Sequence, residues 1–369
     1  MRTVIVHERF TELGGSERVV EQLVQAFPGA GVFVPVHDPS ARPSGIDAAS
    51  VRSSPLQRLY RGGGRYAELL PLLPLAMARA DLSDAELVIT SHHAFAQRVR
   101  PPDGVPMVSY VHTPARWMWE PTARAGEPGG RVGEKGLAAF AASQQRADKR
   151  SAQRPDRLVA NSSAVAERIE RWWGRESVVI PPPVRTDVFT PDPSIEREDF
   201  FLLAGRLVPY KRPELAVSAA RRAGVRLVVV GEGRSLETCQ AFAGPGTEFL
   251  GRVDDATLLD LMRRARGLLF PGVEDFGILP VEAMACGLPV VALGAGGALD
   301  SVVPGVTGLH VTPDTSAYSD EASAFADALR EFDDVSFDSA VIRTHAEWFA
   351  EDKFRVRMQD VVADVVGSS

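Results

Sequence analysis

Residues 178–204 read VVIPPPVRTDVFTPDPSIEREDFFLLA, and this stretch divides the chain into two parts. A short β-branched run ends in three prolines, Pro181 to Pro183, which lack backbone N–H groups and cannot continue an inner strand or a helix. The next residues are polar and include further prolines, and a new apolar run begins at Phe200. We therefore predict an interdomain linker over about residues 181–199.

On both sides of this stretch, short β-branched runs alternate with amphipathic helical segments, a pattern that predicts α/β domains with parallel sheets. The predicted strands are 3–7, 32–36, 86–90, 107–111, 158–160, 200–204, 227–230, 247–250, 267–270, 289–293 and 309–312. The main predicted helices are 16–27, 131–154, 163–173, 212–222, 256–264, 280–286, 318–332 and 339–366. We predict a first domain over 1–185 and a second over 186–344, with a C-terminal helix of about 345–369 packing back on the first.

The composition narrows the class of protein. The chain has 369 residues, 45% hydrophobic and 24% charged, which suits two globular domains. A net charge of −7 argues against a nucleic-acid partner. The two cysteines, Cys239 and Cys286, show no metal-site spacing and fit a reducing compartment. Without a signal-peptide core or a spanning apolar run, we expect a cytoplasmic protein that could lie peripherally at the inner face of the membrane.

Ligands of open parallel sheets bind beyond the carboxyl ends of the strands, so we expect functional residues in the loops that follow the strands. Gly14 and Gly15 stand between a strand and a helix, where a backbone can approach an anion closely; a plain tight turn is the alternative. Arg206 and Lys211 lie five residues apart in the loop after residues 200–204. They can converge on a phosphate, or else form an ordinary solvated basic loop.

The block from Glu274 to Glu282 follows the buried strand 267–270. Pro280 suits the first turn of a helix, and Gly287 suits its end. Glu282 would then lie in the first turn, close to free backbone N–H groups, with Glu274 in the preceding loop. Two carboxylates beside such donors fit a polyol and a phosphate together. The alternative is that Glu282 only satisfies the helix dipole.

His112 follows the strand 107–111, and Pro114 ends that strand. The imidazole should project from the sheet edge towards a substrate, unless it is merely structural. Trp117 and Trp119 have faces that suit a sugar, although core or lid packing explains them equally well. Residues 294–299 resemble a dinucleotide fingerprint, but Leu299 occupies the third glycine position, and residues 231–233 are interpreted as a short turn. With no Asp-x-Asp and no Cys/His cluster, we expect no metal.

Three stretches together resemble the family-4 retaining glycosyltransferases of the GT-B fold: LGGSE (13–17), GRLVPYKR (205–212) and EDFGILPVEAMACGLPVVA (274–292). The family signature is the E-x7-E block, here Glu274 and Glu282. YVHTPARWMWE (110–120) and GAGGALDSV (294–302) are further similar to bacterial mannosyltransferases that use GDP-mannose. The resemblance covers nearly the whole chain. It implies an α/β GT-B architecture, with two Rossmann-like parallel-sheet domains facing a central cleft.

The resemblance also implies roles for individual residues. His112 would contact the donor sugar, Arg206 and Lys211 would neutralise its diphosphate, and Glu274 would bind sugar hydroxyls; these four are the expected catalytic residues. The expected donor-binding residues are Gly14 and Gly15 near the diphosphate, Val253 near the base, Phe276, Gly277, Ile278 and Leu279 through backbone amides, and Glu282 at the ribose. Trp117 and Trp119 stand where the family pattern has a tyrosine, so the acceptor side is not defined.

The implied activity is transfer of a hexosyl group, mannosyl favoured, from a nucleotide-diphosphate sugar, without metal or cofactor and with retention of configuration. The acceptor would be a sugar, a lipid-linked sugar or a natural product. Three alternatives stay open: a nucleotide-sugar 2-epimerase, a synthase-like GT-B enzyme, and a non-catalytic sugar-nucleotide or membrane-binding module. For the last, residues 56–80 carry Arg58, Arg61 and Arg65 beside LLPLLPLAMARA, which reads as an interfacial patch or as a buried helix pair broken by Pro71 and Pro74.

Overall fold

The fold is described from a computed structural model, over residues 1–60, 62, 65–121, 130–312, 321–332 and 337–367. Contacts divide the chain into two compact units: Met1–Pro183 with Asp352–Ser369, and Val184–Glu351. Each unit is built on one parallel sheet, of seven strands in the first and six in the second. The predicted pair of parallel-sheet α/β domains is therefore confirmed.

The first sheet has the strand order β3-β2-β1-β4-β5-β6-β7, and every pair is parallel. Its strands are β1 Thr3–His7, β2 Gly31–Val34, β3 Val51–Ser53, β4 Leu87–His92, β5 Met107–Val111, β6 Arg157–Ala160 and β7 Val178–Val179. The order reverses between β1 and β4, where Thr3 pairs with Leu87 and His7 with Ser91. The sequence pattern does not predict β3, because its three half-buried residues form no apolar run.

The helices of the first unit, in chain order, begin with α1 Gly15–Ala26, α2 Leu73–Ala78, α3 Arg116–Trp119, α4 Gly130–Ser151 and α5 Ser163–Trp173. Local sequence explains the bounds of α5. The Ser162 hydroxyl accepts a hydrogen bond from the Val165 N–H at 3.2 Å, and Gly174 ends the helix with φ 66°. Ser162 is thus the N-cap of α5.

The second sheet has the order β10-β9-β8-β11-β12-β13, again with parallel pairs throughout. Its strands are β8 Phe201–Ala204, β9 Leu227–Val230, β10 Thr247–Gly251, β11 Gly267–Phe270, β12 Val290–Leu293 and β13 Gly308–Val311. Its helices are α6 Pro213–Ala223, α7 Leu236–Phe242, α8 Asp255–Arg264, α9 Ile278–Ala285, α10 Ala298–Ser301, α11 Glu321–Glu331 and α12 Ser339–Glu347. The strand order reverses between β8 and β11.

The segment expected to be a free linker is packed from Val184 onward. Val184 and Phe189 are fully buried in the apolar core of the second unit. One guanidinium nitrogen of Arg343, Nη1, donates to the carbonyls of Thr186 and Phe189 at 2.7 and 2.8 Å. The linker prediction is therefore wrong for this part, because two apolar side chains within a polar stretch are enough to anchor it to a core.

The single helix predicted over 339–366 is two helices. After α12, the chain turns at Trp348–Ala350, where Phe349 is buried and its carbonyl accepts from the Val184 N–H at 3.0 Å. The last helix, α13 Glu351–Gly367, then buries Phe354, Met358, Val362 and Val365 in the core of the first unit. These four residues recur at helical spacing on one face. The Phe354 ring meets Tyr110 edge-on, with centroids 5.4 Å apart.

We predict that Phe354→Ala lowers the free energy of unfolding of the first unit by about 3–5 kcal/mol, because it leaves a cavity in a closed core. The matched control is Val356→Ala on the same helix, where the side chain is 53% exposed. Urea unfolding followed by tryptophan fluorescence measures both. Equal losses for the two variants would show that α13 is not anchored through this face.

Candidate active site

The loops after β8 and β11 meet because these strands are neighbours at the strand-order reversal. Lys211 lies in the first loop and Glu274 in the second, with 2.7 Å between Nζ and Oε1. Residues of the two loops and the strand ends line one pocket, among them Gly205, Arg206, Lys211, Phe270, Pro271 and Glu274. Three of the four expected catalytic residues are therefore brought together.

The cation expected to bind phosphate is paired here with the carboxylate expected to bind sugar hydroxyls. The Lys211 and Glu274 side chains are 22% and 20% exposed, so water reaches both partners. Ion pairs in contact with solvent contribute little net stability, about 0–1 kcal/mol, and exchange partners readily. Arg206 is exposed, and its Nη2 donates to the Tyr210 hydroxyl at 3.1 Å. Both cations of the loop are thus available to an incoming anion.

Helix α9 begins at Ile278, so Pro280 is its third residue and Glu282 its fifth. The expectation that Glu282 lies in the first turn is wrong. Gly277 has φ 87°, a left-handed conformation that turns the chain into the helix earlier than Pro280 alone suggests. Within the described part of the chain no side chain caps α9, so the first backbone N–H groups, including those of Ile278 and Leu279, have no intrahelical partner.

Glu282 is nearly buried and is held by Arg185, whose Nη2 donates to Oε1 at 3.3 Å. The other terminal nitrogen of Arg185 bonds Asp255 Oδ2 at 2.5 Å, and its guanidinium lies 5.0 Å from the Phe189 ring centre. Burial alone lowers the pKa of Arg185, but the bonds to Asp255 and Glu282 leave it raised. The glutamate expected at the ribose therefore belongs to a charge network that runs through Arg185 to the exposed Asp255. Val253, expected near the base, lies two residues before Asp255 and is half-buried against the core.

The loop from Glu274 to Phe276 contacts Gly297, which lies in the incomplete dinucleotide fingerprint of residues 294–299. The Gly297 N–H donates to the Glu274 carbonyl at 3.0 Å, and a side chain at Gly297 would overlap the backbone of Phe276. The Phe276 ring is buried beside Phe349, with centroids 5.6 Å apart, so only its backbone is left for a ligand. A glycine pair directly after a parallel strand is the signal that could have identified this support.

The loop after β8 has a similar support. The Leu207 N–H donates to the carbonyl of Glu232 at 2.9 Å, in the turn after β9. Residues 231–233 are thus a turn, as interpreted, but one whose backbone holds the loop that carries Arg206.

His112 lies just beyond β5 and is almost buried. Its Nε2 is 2.7 Å from the Ser91 hydroxyl, and its ring stacks on His93 with centroids 4.3 Å apart. Burial lowers the pKa of His112 to about 3. The imidazole is therefore neutral at neutral pH, which suits a hydrogen-bonding contact and not a cationic one.

Two buried glutamates, Glu8 and Glu17, are given no role by the sequence, although Glu17 is the last residue of the LGGSE stretch. Glu8 Oε1 accepts the backbone N–H groups of residues 93–96 at 3.2, 2.9, 2.7 and 2.7 Å, which fixes the turn after β4. Glu17 lies in the first turn of α1 and contacts His7 at 3.3 Å. Gly14 is the N-cap of α1 and Gly15 its first residue, so the Gly-Gly pair does open a helix.

The tryptophans near His112 pack within the first unit. Trp119 and Trp173 both donate their indole N–H to Asp148 Oδ2 at 2.8 Å, and burial raises the pKa of Asp148 to about 6. Trp117 stacks on Phe140 with centroids 5.9 Å apart. These contacts favour the packing interpretation of Trp117 and Trp119 over a sugar platform.

The segment 56–80 combines both interpretations offered for it. Leu73 and Met77 of α2 are buried, whereas Leu59, Leu72 and Leu75 are 58%, 43% and 50% exposed. Arg61 and the side chain of Arg65 lie outside the described residues. Across the described ranges, no helix combines the length and apolar character that crossing a membrane requires.

Two family models match this chain. Residues 13–188 match the model described as Glycosyltransferase Family 4, and residues 185–332 match Glycosyl transferases group 1. Two glycosyltransferase-family models thus match adjoining parts of this chain, in agreement with the family resemblance of its motifs.

Curated relatives include the D-inositol 3-phosphate glycosyltransferases of Mycobacteroides abscessus and Actinosynnema mirum. The first is 32% identical over 61% of this chain and 54% of the relative. The second is 31% identical over 66% of this chain and 65% of the relative. A third, from Gordonia bronchialis, is 29% identical over 53% of this chain and 50% of its own length. The chain thus spans about half the length of several curated relatives that it matches.

Solved structures share the fold. Sucrose-phosphate synthase from Thermosynechococcus elongatus superimposes with a TM-score of 0.73 at 20% identity, covering 100% of both chains. Anabaena Alr3699/HepE in complex with UDP-glucose gives a TM-score of 0.67 at 18% identity, covering 99% of this chain and 100% of that one. At this identity the likeness establishes the GT-B fold.

We predict that Gly277→Ala destabilises the second unit more than Gly305→Ala does. Both glycines have positive φ, 87° and 75°, so each alanine costs about 1–3 kcal/mol of backbone strain. A Cβ at position 277 would also lie 2.8 Å from Phe270 Cζ, whereas nothing lies within 4 Å of one at 305. That overlap adds about 1–3 kcal/mol. Urea unfolding of both variants measures the difference; equal losses would mean that Gly277 is not in close contact with β11.

Proposed function

We propose that this chain is a GT-B glycosyltransferase that moves a sugar from a nucleoside diphosphate to an acceptor. The observation that carries the proposal is the pocket shared by Arg206, Lys211 and Glu274 at the strand-order reversal. It joins two cations and one carboxylate, and α9, whose start has no side-chain cap, begins four residues after Glu274. Such groups match a sugar diphosphate. The matches to two glycosyltransferase-family models support the same assignment.

In the proposed reaction, the bond from the anomeric carbon to the diphosphate breaks, and negative charge grows on the departing phosphate. Preorganised donors stabilise such charge best. Arg206 and Lys211 supply two of them, and the backbone N–H groups at the start of α9 supply more, so no metal is required. When Lys211 turns to the phosphate, the Glu274 carboxylate is released from its 2.7 Å ion pair and can accept hydrogen bonds from sugar hydroxyls.

The finer parts of the proposal rest on sequence resemblance. The donor is GDP-mannose, and the mannosyl group is transferred with retention, by attack on the face that the diphosphate leaves. The departing phosphate then takes the acceptor proton. The acceptor is a sugar, a lipid-linked sugar or a natural product, and the names of the curated relatives add a phosphorylated inositol to this set. Incubation with the donor alone separates transfer from 2-epimerisation, because only an epimerase converts a donor without an acceptor.

We predict that Arg206→Ala lowers kcat/KM at least about a hundredfold, since one donor to a developing anion is worth about 2.7–4 kcal/mol. The assay uses the donor that gives the largest thermal shift among GDP, UDP, ADP and dTDP sugars, with GDP-mannose expected. The control is Arg226→Ala, an exposed arginine at the opposite, amino end of β9.

Loss of activity in the Arg206 variant alone supports the proposal. A variant within threefold of the wild type would exclude Arg206 from the reaction centre. NMR of the first-formed product is expected to show the anomeric configuration of the donor, and an inverted product would contradict the proposed mechanism.

A further inference from the structure

A continuous chain of four buried side chains connects α1 to the carboxyl ends of three strands. Glu17 Oε1 is 3.3 Å from His7 Nε2, and His7 Nδ1 is 3.0 Å from the Ser91 hydroxyl. The same hydroxyl is 2.7 Å from His112 Nε2. His7 and Ser91 are fully buried, and Glu17 and His112 are nearly so. Only Glu17, His7 and Ser91 are new here, because His112 already belongs to the candidate site.

The direction of every hydrogen bond in this chain follows from a carboxylate at Glu17 together with a neutral imidazole at His7, and both are part of the proposal below. Burial by itself raises the pKa of Glu17, but the bonds from His7 and Ser16 leave it lowered, so the group is a carboxylate at neutral pH. A carboxylate can only accept hydrogen bonds. His7 Nε2 must therefore carry a proton and donate it to Glu17.

The remaining protons are then fixed one by one. When His7 is neutral, as the proposal requires, its imidazole has one donor and one acceptor nitrogen, so His7 Nδ1 accepts and the Ser91 hydroxyl donates to it. A hydroxyl has a single proton, so the Ser91 oxygen can only accept from His112 Nε2. His112 is left with a lone pair on Nδ1, and within the described residues the structure assigns that nitrogen no hydrogen-bond partner.

The other imidazoles around His112 do not disturb this order. The His93 ring stacks on the His112 ring. His92, the residue before His93, is the last residue of β4. Burial holds the pKa of His92 at about 4 and that of His93 well below its ordinary value, so both are neutral.

We propose that Glu17, His7 and Ser91 are positioning residues that lock His112 in the tautomer protonated on Nε2, with Nδ1 kept as a hydrogen-bond acceptor. An acceptor at this point suits a hydroxyl of the donor sugar, and only this last step rests on the proposed function. The tautomer itself is a property of the free chain. His112 Nδ1 is then the atom that accepts a hydrogen bond from the substrate.

Glu17→Gln tests the lock with almost no change of shape. A glutamine amide can donate as well as accept, so the whole chain can reverse: amide to His7 Nε2, His7 Nδ1 to Ser91, and Ser91 to His112 Nε2. Reversal would leave the proton of His112 on Nδ1. The matched control is Glu12→Gln, which removes a carboxylate that is 58% exposed and outside the chain.

The experiment is a long-range ¹H–¹⁵N correlation spectrum of the full-length chain with ¹⁵N-labelled histidine at pH 7. His7→Gln and His112→Gln variants assign the signals. We expect His7 and His112 both to be neutral and protonated on Nε2 in the wild type and in Glu12→Gln. In Glu17→Gln we expect a second population of His112 protonated on Nδ1. A wild-type His112 protonated on Nδ1, or a His112 tautomer that Glu17→Gln does not change, would overturn the proposal.

A binding measurement separates this proposal from the proposed function. Glu17→Gln is expected to weaken the sugar nucleotide about tenfold and to leave the free nucleoside diphosphate unaffected, because only the former presents sugar hydroxyls. A tautomer change with equal loss for both ligands would leave the lock standing and remove the sugar contact of His112. If Glu17→Gln does not change the tautomer of His112, the positioning role of Glu17 is excluded, whichever ligands the chain binds.

Discussion

The contact between Lys211 and Glu274 is the interaction on which the account of this protein depends. It exists because β8 and β11 are neighbours although their connections leave the sheet in opposite directions, so that two loops share one edge. Each loop is held from behind by backbone, through Glu232 in one case and Gly297 in the other. Backbone hydrogen bonds thus fix the two loops that carry the charged side chains. The proposed stabilisation of a departing diphosphate requires such preorganised groups.

The first sheet repeats this geometry with different chemistry. Its reversal lies between β1 and β4, and the side chains there are imidazoles, a hydroxyl and two buried carboxylates in place of exposed cations. Burial keeps His112 neutral, and the chain from Glu17 determines which of its nitrogens can accept a hydrogen bond. At its strand-order reversal the second sheet therefore carries cations and a carboxylate, whereas the first sheet carries neutral imidazoles such as His112.

The sequence predicts most strands and helices, but it does not predict which side chains pair by hydrogen bonds or ion pairs. Strands with continuous apolar runs, such as Thr3–His7 and Gly267–Phe270, agree with the structure residue by residue. The break before α13 is not predicted, because helical periodicity continues through Trp348 and only a tertiary contact of Phe349 stops the helix. The bond between Arg185 and Glu282 spans 97 residues, and local patterns carry no information about such pairs. Residue types and loop positions can be predicted, but the hydrogen bonds that orient them depend on the folded chain.

A crystal structure of this chain with bound GDP-mannose, or with the sugar nucleotide that binds best, tests the central claim most directly. We expect diphosphate oxygens within about 3.2 Å of the Arg206 guanidinium, Lys211 Nζ and the first N–H groups of α9. Lys211 would then have left Glu274, whose carboxylate would face the sugar. A nucleotide bound elsewhere, with Lys211 and Glu274 still 2.7 Å apart, would contradict it.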